Sequence, residues 1–297
     1  MVTLAILADP AIKAWLGGVE PAWTMLDQAS VVALAQPPSS ESGPIRLSTN
    51  LAPEEFHQSV IMRNALAVLR AAAIEPGLKM TALGNLSRGV VAQMRDLISW
   101  PGHTADWPGH DNADAFEFHK VINEADFSPL FFVRHLVQTA RLLRRYKGHL
   151  TITPSGRRLL DEAHASVLQA VLFHGTFWNL DLDYFSVGIL DGWPQCDTGI
   201  VMWSLSVAAH DWQPVEHLTR LCTVPVGRLL DRDWDTGSFA MDAQILRPLS
   251  WFGLLERRTE EPAPSKHERR IFYRKTALFD RFLSFDVRLE SAGTQRH

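Results

Sequence analysis

Residues 141–160, RLLRRYKGHLTITPSGRRLL, restrict the possible folds of this chain more than any other stretch. The apolar pattern that starts near Pro129 predicts a helix continuing to Tyr146, after which Gly148 predicts a tight turn. The strand HLTIT follows, and Pro154 begins a second basic helix. A hairpin in this position buries one face against the helices before it. The segment therefore predicts a small unit of helix, hairpin and helix.

A second segment nearer the C-terminus has the same layout. It consists of FGLLERR, a ten-residue loop, and then RRIFYRKTALFDRFL. In both segments apolar residues precede a basic dipeptide, a strand returns after the turn, and a Thr or Ser begins a helix. Two copies of one layout indicate an internal repeat. Residues 33–52 are rich in Pro, Ser and Gly and predict a loop or linker ahead of the first copy.

The first copy, together with TALGNLSRGVVAQM before it, resembles a winged-helix region of largely uncharacterised bacterial proteins. Some of these regions occur beside domains of the plasmid open-reading-frame-three type. The points of similarity are Thr81, Gly84, Asn85, Leu86, Glu124, Asp126, Leu130, Leu142, Gly148, Leu150, Thr153 and Gly156. The similarity covers residues 54–165 and, more weakly, residues 197–286. It implies a fold in which a helical pair is followed by a wing, and it implies no settled activity.

These patterns predict a mostly α fold with short β-hairpin wings, arranged as two tandem winged-helix-like units. The expected domains are an N-terminal segment and linker at 1–53, a first unit at 54–165 and a second at 166–297. Fold alone does not select a function, so the function has to be argued from the side chains.

A cluster of cations in the first copy suggests binding of double-stranded DNA. From Arg134 to Arg158 there are seven Lys or Arg residues and no carboxylate. A wing that carries such cations can neutralise phosphates while a helix lies in the major groove. On a helix running to Tyr146, two of Arg141, Arg144 and Arg145 would share one face. The candidate phosphate-binding residues are Arg141, Arg144, Arg145, Lys147, Arg157 and Arg158.

A solvated, purely structural basic face is the alternative interpretation of the same residues. Cations near the C-terminus of a helix complement its dipole, which would account for Arg144 and Arg145. Arg157 and Arg158 fit that alternative badly, because they lie in the first turn of the next predicted helix. In the second copy, eight basic residues between Gly253 and Leu283 are interspersed with five carboxylates. If one wing binds nucleic acid, we therefore expect it to be the first.

Enzymatic and metal-binding interpretations have weaker support. His103, His110 and His119 stand near several aspartates, but their spacing matches no metal motif and HExxH is absent. Cys196 and Cys222 form no CxxC motif, and a buried or tolerated thiol is commoner than a nucleophile. We therefore predict no catalytic site, no metal and no cofactor.

The bulk composition narrows the choice of partner and compartment. The formal net charge of −4 provides no global field for nucleic acid, so any such binding has to be local. Acidic net charge and abundant aromatic residues favour the alternative of a protein-interaction module or homodimer without nucleic-acid binding. Two cysteines suit a reducing compartment, and the chain lacks an apolar run of membrane-spanning length. The expected location is cytoplasmic, without membrane association.

Overall fold

The protein is described from a computed structural model that covers residues 4–37, 43–100, 122–186, 188, 190–231, 234–260 and 270–290. The described part is mostly helical with small antiparallel sheets, as the sequence predicts. Its α-helices are α1 (Pro10–Leu16), α2 (Gln28–Leu34), α3 (Val60–Ala73), α4 (Arg88–Arg95), α5 (Ser128–Thr139), α6 (Pro154–Arg158), α7 (Ala165–His174), α8 (Leu182–Phe185), α9 (Thr198–Ala208), α10 (Val215–Cys222), α11 (Thr236–Met241), α12 (Arg247–Trp251) and α13 (Ala277–Phe282).

Short strands accompany the helices. They are β1 (Ile45–Leu47), β2 (Leu78–Lys79), β3 (Leu143–Tyr146), β4 (His149–Ile152), β5 (Gln213–Pro214), β6 (Leu255–Thr259), β7 (Ile271–Lys275) and β8 (Leu283–Phe285). They form three antiparallel sheets with the strand orders β1-β8, β2-β4-β3 and β5-β7-β6.

The chain divides into two compact units, one comprising Thr49–Asp181 and the other comprising Met1–Ser48 with Leu182–His297. The first encloses the predicted unit at 54–165. The segment predicted as an N-terminal linker instead contributes to the other unit, because β1 pairs with β8 and Trp23 Nε1 donates to Thr223 O at 2.9 Å. A three-residue strand is too short to show alternation, so no residue pattern indicates β1 within the Pro/Ser-rich stretch.

The described part of the unit Thr49–Asp181 is built around helices α3 and α5 and one small sheet. Helix α3 begins where Ser59 Oγ accepts the Met62 N–H at 3.2 Å, which is an N-cap. Its buried face packs with α5 and β4, with Leu69, Leu136 and Leu150 fully buried. Burial of these side chains supplies the main stabilisation of the unit.

The other unit repeats the order of elements seen in the first. Over the described residues of Thr49–Asp181 the order is α3, β2, α4, α5, β3, β4; over those of the other unit it is α9, β5, α10, α11–α12, β6, β7. A π-helical turn, Asp242–Leu246, joins α11 to α12. In both sheets the returning strand of the hairpin lies in the middle. The two hairpins therefore have the same topological setting.

The predicted helix from Pro129 to Tyr146 is wrong beyond Thr139. Arg141 takes a left-handed φ of 58°, and its N–H donates to Gln138 O at 2.9 Å. The Leu142 N–H donates to Val137 O at 2.9 Å, which completes a Schellman end of the helix. The following residues pair with β4 instead of continuing the helix, because the hairpin buries Leu143.

The second basic helix, predicted to begin at Pro154, is also interrupted. It consists of α6, a 3₁₀ turn at Glu162–His164, and α7. Asp161 begins the turn by accepting the Ala163 N–H at 3.0 Å. Aspartate competes for backbone donors in this way, which favours a new helix start over continuation.

We expect Gly156→Ala to destabilise the protein by about 1–3 kcal/mol, because the added methyl overlaps the Leu142 carbonyl in a closely packed junction. Gly89→Ala is the matched control, since no atom lies within 4 Å of its added methyl; it should be neutral or stabilise α4 by up to about 1 kcal/mol. Urea denaturation measures the free energy of unfolding of both variants. Equal stability of the two variants would contradict this packing account.

Candidate nucleic-acid interface

The hairpin β3–β4 separates the predicted cations onto different faces. Arg144 pairs with Thr151 and Arg145 with Leu150 in the antiparallel register. Directly opposite residues share a face and successive residues alternate, so Arg144 and Tyr146 lie on the face opposite the buried Leu150. The expectation that these arginines lie on a helix is therefore wrong.

The solvent-facing side of this hairpin contains a pocket of about 490 Å³, which we call the hairpin pocket. Three predicted cations line it: Arg144, Lys147 and Arg157. The lining is completed by Ala72, Ala73, Ile74, Glu75, Pro76, Gly77, Tyr146, His149, Thr151 and Ile152. The connection between α3 and β2 thus forms one wall of the hairpin pocket. It is distant from the hairpin in sequence, and the fold brings the two together.

Tyr146 stands among the cations of the hairpin pocket. The guanidinium carbon of Arg144 lies 5.8 Å from the centroid of its ring, and Lys147 Nζ lies 5.2 Å from it. Both separations are within the range of cation–π attraction. The tyrosine is 53% exposed, so part of its surface remains accessible to a ligand.

The other three predicted residues do not line the hairpin pocket. Arg145 lies on the opposite face, where its guanidinium packs next to Gly84. Arg141 occupies the Schellman position after α5 and lines a different cavity with Thr139 and His174. Arg158 is exposed in the last turn of α6. The structure therefore brings together half of the predicted set.

None of the six predicted cations forms an ion pair with a residue that the structure describes. Arg134, at the start of the same basic run, behaves differently. It is 2% exposed, and its Nε donates to Glu124 Oε1 at 2.6 Å. Glu124 also accepts the Leu86 N–H at 2.6 Å. Arg134 is therefore a core residue, while the others leave their charges directed to solvent.

Helix α5 offers no exposed residue over Ser128–Thr139. Its half-buried side includes Phe131 and His135, whose rings are 4.2 Å apart. Burial, and then the Arg134 charge, lower the pKa of His135, so the imidazole is neutral at neutral pH. The exposed cations near this helix thus belong to the hairpin that follows it.

The second hairpin engages its cations within its own unit. The guanidinium of Arg258 lies 4.7 Å from the ring centroid of Trp212, and that of Arg274 lies 4.8 Å from it. Arg274 also pairs with Glu256 at 2.7 Å, and Lys275 Nζ donates to Asp280 Oδ1 at 2.8 Å. Fewer of its charges are left for a ligand. That the first hairpin, rather than the second, binds nucleic acid stays a prediction. The difference in ion pairing between the two hairpins favours it.

Sequence reasoning missed Tyr146 and His149 as members of the site. The signal that could have found them is the alternation of period two in LRRY and HLTI, which puts both on the face of Arg144. This alternation was overlooked because the residues of RLLRRY suit a helix equally well.

Those of the remaining candidates that the structure describes give no second site. Burial, followed by the Asp197 carboxylate, raises the pKa of the Cys196 thiol to about 12, and burial also raises that of Cys222. Both are therefore protonated and weakly nucleophilic at neutral pH. His103, His110 and His119 lie outside the described residues. Within the described ranges, no three His, Cys, Asp or Glu side chains gather as a metal-binding group.

No helix in the described part of the chain has both the length and the apolar character needed to cross a membrane.

Comparison with known proteins finds similarity in the segment that carries the hairpin pocket. Residues 57–165 match the model of the Y4jL N-terminal domain family. An uncharacterised protein, y4jL of Sinorhizobium fredii, is 36% identical over 107 residues, which are 36% of this chain and 46% of that protein. The match thus spans about half of that relative. No solved structure matches the chain. Similarity to an uncharacterised bacterial protein is thereby confirmed for this segment.

We expect Arg134→Ala to destabilise the protein by about 3–5 kcal/mol, because it leaves the Glu124 carboxylate buried without its cation. Arg145→Ala serves as the control from the same basic run and should change stability by less than about 0.5 kcal/mol, since its side chain is exposed. Urea denaturation at neutral pH distinguishes them. A similar small effect of both variants would show that Arg134 is not the structural member of the run.

Proposed function

We propose that each unit contains a winged helix and that the first wing, the hairpin β3–β4, binds the phosphate backbone of DNA. The winged-helix interpretation is supported by the repeated order of helices and strands and by the central position of the returning strand in each sheet. A regulatory role for such a protein is part of the proposal.

The observation that carries this function is the convergence of Arg144, Lys147 and Arg157 on the hairpin pocket without ion pairs to described residues. Phosphate oxygens are strong acceptors for guanidinium and ammonium donors. A chain of net charge −4 needs a local cationic surface of this kind to attract a polyanion.

The buried state of α5 favours contact through the backbone over reading of base edges. A helix without exposed side chains has little to present to the edges in a major groove. Backbone contacts position a protein on DNA and carry no sequence information directly. We therefore propose binding that depends strongly on salt and weakly on duplex sequence.

A protein-interaction module is the second candidate. It is favoured by Ile74, which is 68% exposed on the wall of the hairpin pocket, since exposed apolar side chains grouped together mark interfaces. The two candidates differ in salt dependence, because an apolar contact releases no counterions.

We expect Arg144→Ala/Arg157→Ala to weaken binding of a DNA duplex at low salt and to reduce the slope of log K against log salt by about 2. The reason is that each lost phosphate contact contributes about 0.9 to that slope. Fluorescence anisotropy across a salt series measures affinity and slope together.

The matched control is Arg46→Ala/Arg228→Ala, which removes the same charge. These two exposed arginines belong to the other unit and pair with Asp286 and Asp191. The control should retain the wild-type slope. Absence of duplex binding by the wild type at low salt, or an equal loss in both variants, would contradict the proposed function.

A further inference from the structure

The hairpin pocket contains more than cations. Tyr146 and Ile74 present exposed apolar surface, and Pro76 and Ile152 also line it. Its volume of about 490 Å³ falls in the range of pockets that bind small molecules. The site therefore combines positive charge, an exposed aromatic side chain and an apolar wall.

A DNA duplex uses only part of this chemistry. Its phosphates lie outside and its bases are stacked inside, so a duplex can engage Arg144, Lys147 and Arg157 but leaves the tyrosine face and the apolar wall without a partner. An unpaired nucleotide offers a flat base and a phosphate in one ligand. Proteins that bind single strands combine aromatic stacking platforms with cations along the backbone in this way.

The distances within the site suit such a ligand. The two cations nearest the ring, Arg144 and Lys147, lie 5.8 and 5.2 Å from the centroid of Tyr146. A base against the tyrosine would therefore bring its own or its neighbour's phosphate within reach of them. Glu75 also lines the pocket, and its carboxylate can accept from the amino group of adenine or cytosine.

We infer that the hairpin pocket holds an unpaired nucleotide of single-stranded DNA, with the base against Tyr146 and Ile74 and the phosphate on the three cations. This inference rests on the proposed function, because it assigns the form of DNA that the same site prefers. Loss of the ring and loss of the cations have different consequences. The cations contribute to both forms of DNA, whereas the ring contributes to the single strand.

The test uses the full chain and a labelled oligonucleotide of adenine and cytosine, either alone or annealed to its complement. Wild type should bind the single strand about tenfold more tightly than the duplex, as expected for stacking of one base. Tyr146→Leu should lose that tenfold preference and keep its duplex affinity, while Tyr146→Phe retains the ring and the preference. Ile74→Ser provides a second variant and should also weaken single-strand binding alone.

Tyr184→Leu is the control, since Tyr184 is a 65% exposed tyrosine of the other unit; it should bind like wild type. Equal or tighter binding of the duplex would overturn the inference, as would a Tyr146→Leu variant that binds the single strand like wild type. With either result the proposed function is retained, provided that duplex binding depends on the cations of the hairpin pocket. Absence of binding to both forms at low salt would overturn both proposals.

Discussion

A threonine at the end of each hairpin ties the returning strand to the end of the preceding helix. The Thr153 hydroxyl donates to Arg141 O at 3.0 Å, and the Thr276 hydroxyl donates to Gly253 O at 2.9 Å. The backbone N–H of each threonine also bonds to the residue that follows the left-handed position, at 2.9 Å in both units. This junction fixes where the first hairpin strand begins. Alternation along that strand then decides which side chains face solvent.

Each hairpin has a junction of this kind, but the side chains on their exposed faces differ. In the first, Arg144 and Lys147 lie over the ring of Tyr146, Arg157 lines the same pocket, and none of the three forms an ion pair with a described residue. In the second, Trp212 and Glu256 engage the arginines of the sheet. One backbone arrangement therefore supports two surfaces of different charge, and the function has to be located in the side chains.

The sequence allowed prediction of the hairpins, the turn at Gly148 and the mostly helical class, because turn residues and apolar patterns are local signals. It did not allow prediction of the helix end at Thr139, since RLLRRY suits a helix and only pairing with β4 makes it a strand. The burial of Arg134 depends on Glu124, a partner that charge counting cannot identify. The wall of the hairpin pocket comes from Ile74 and its neighbours, so the assembled site required the tertiary structure.

Hydrogen–deuterium exchange of the full chain, with and without a saturating short single-stranded oligonucleotide at low salt, tests the central claim most directly. Amide exchange reports local opening, and a bound ligand slows it where it stabilises the backbone. The account predicts protection of residues 143–158 and of the wall at 74–77, with unchanged exchange at 255–259 and 271–275. Protection confined to the second hairpin, or unchanged exchange throughout the first, would contradict the assignment of nucleic-acid binding to the hairpin pocket.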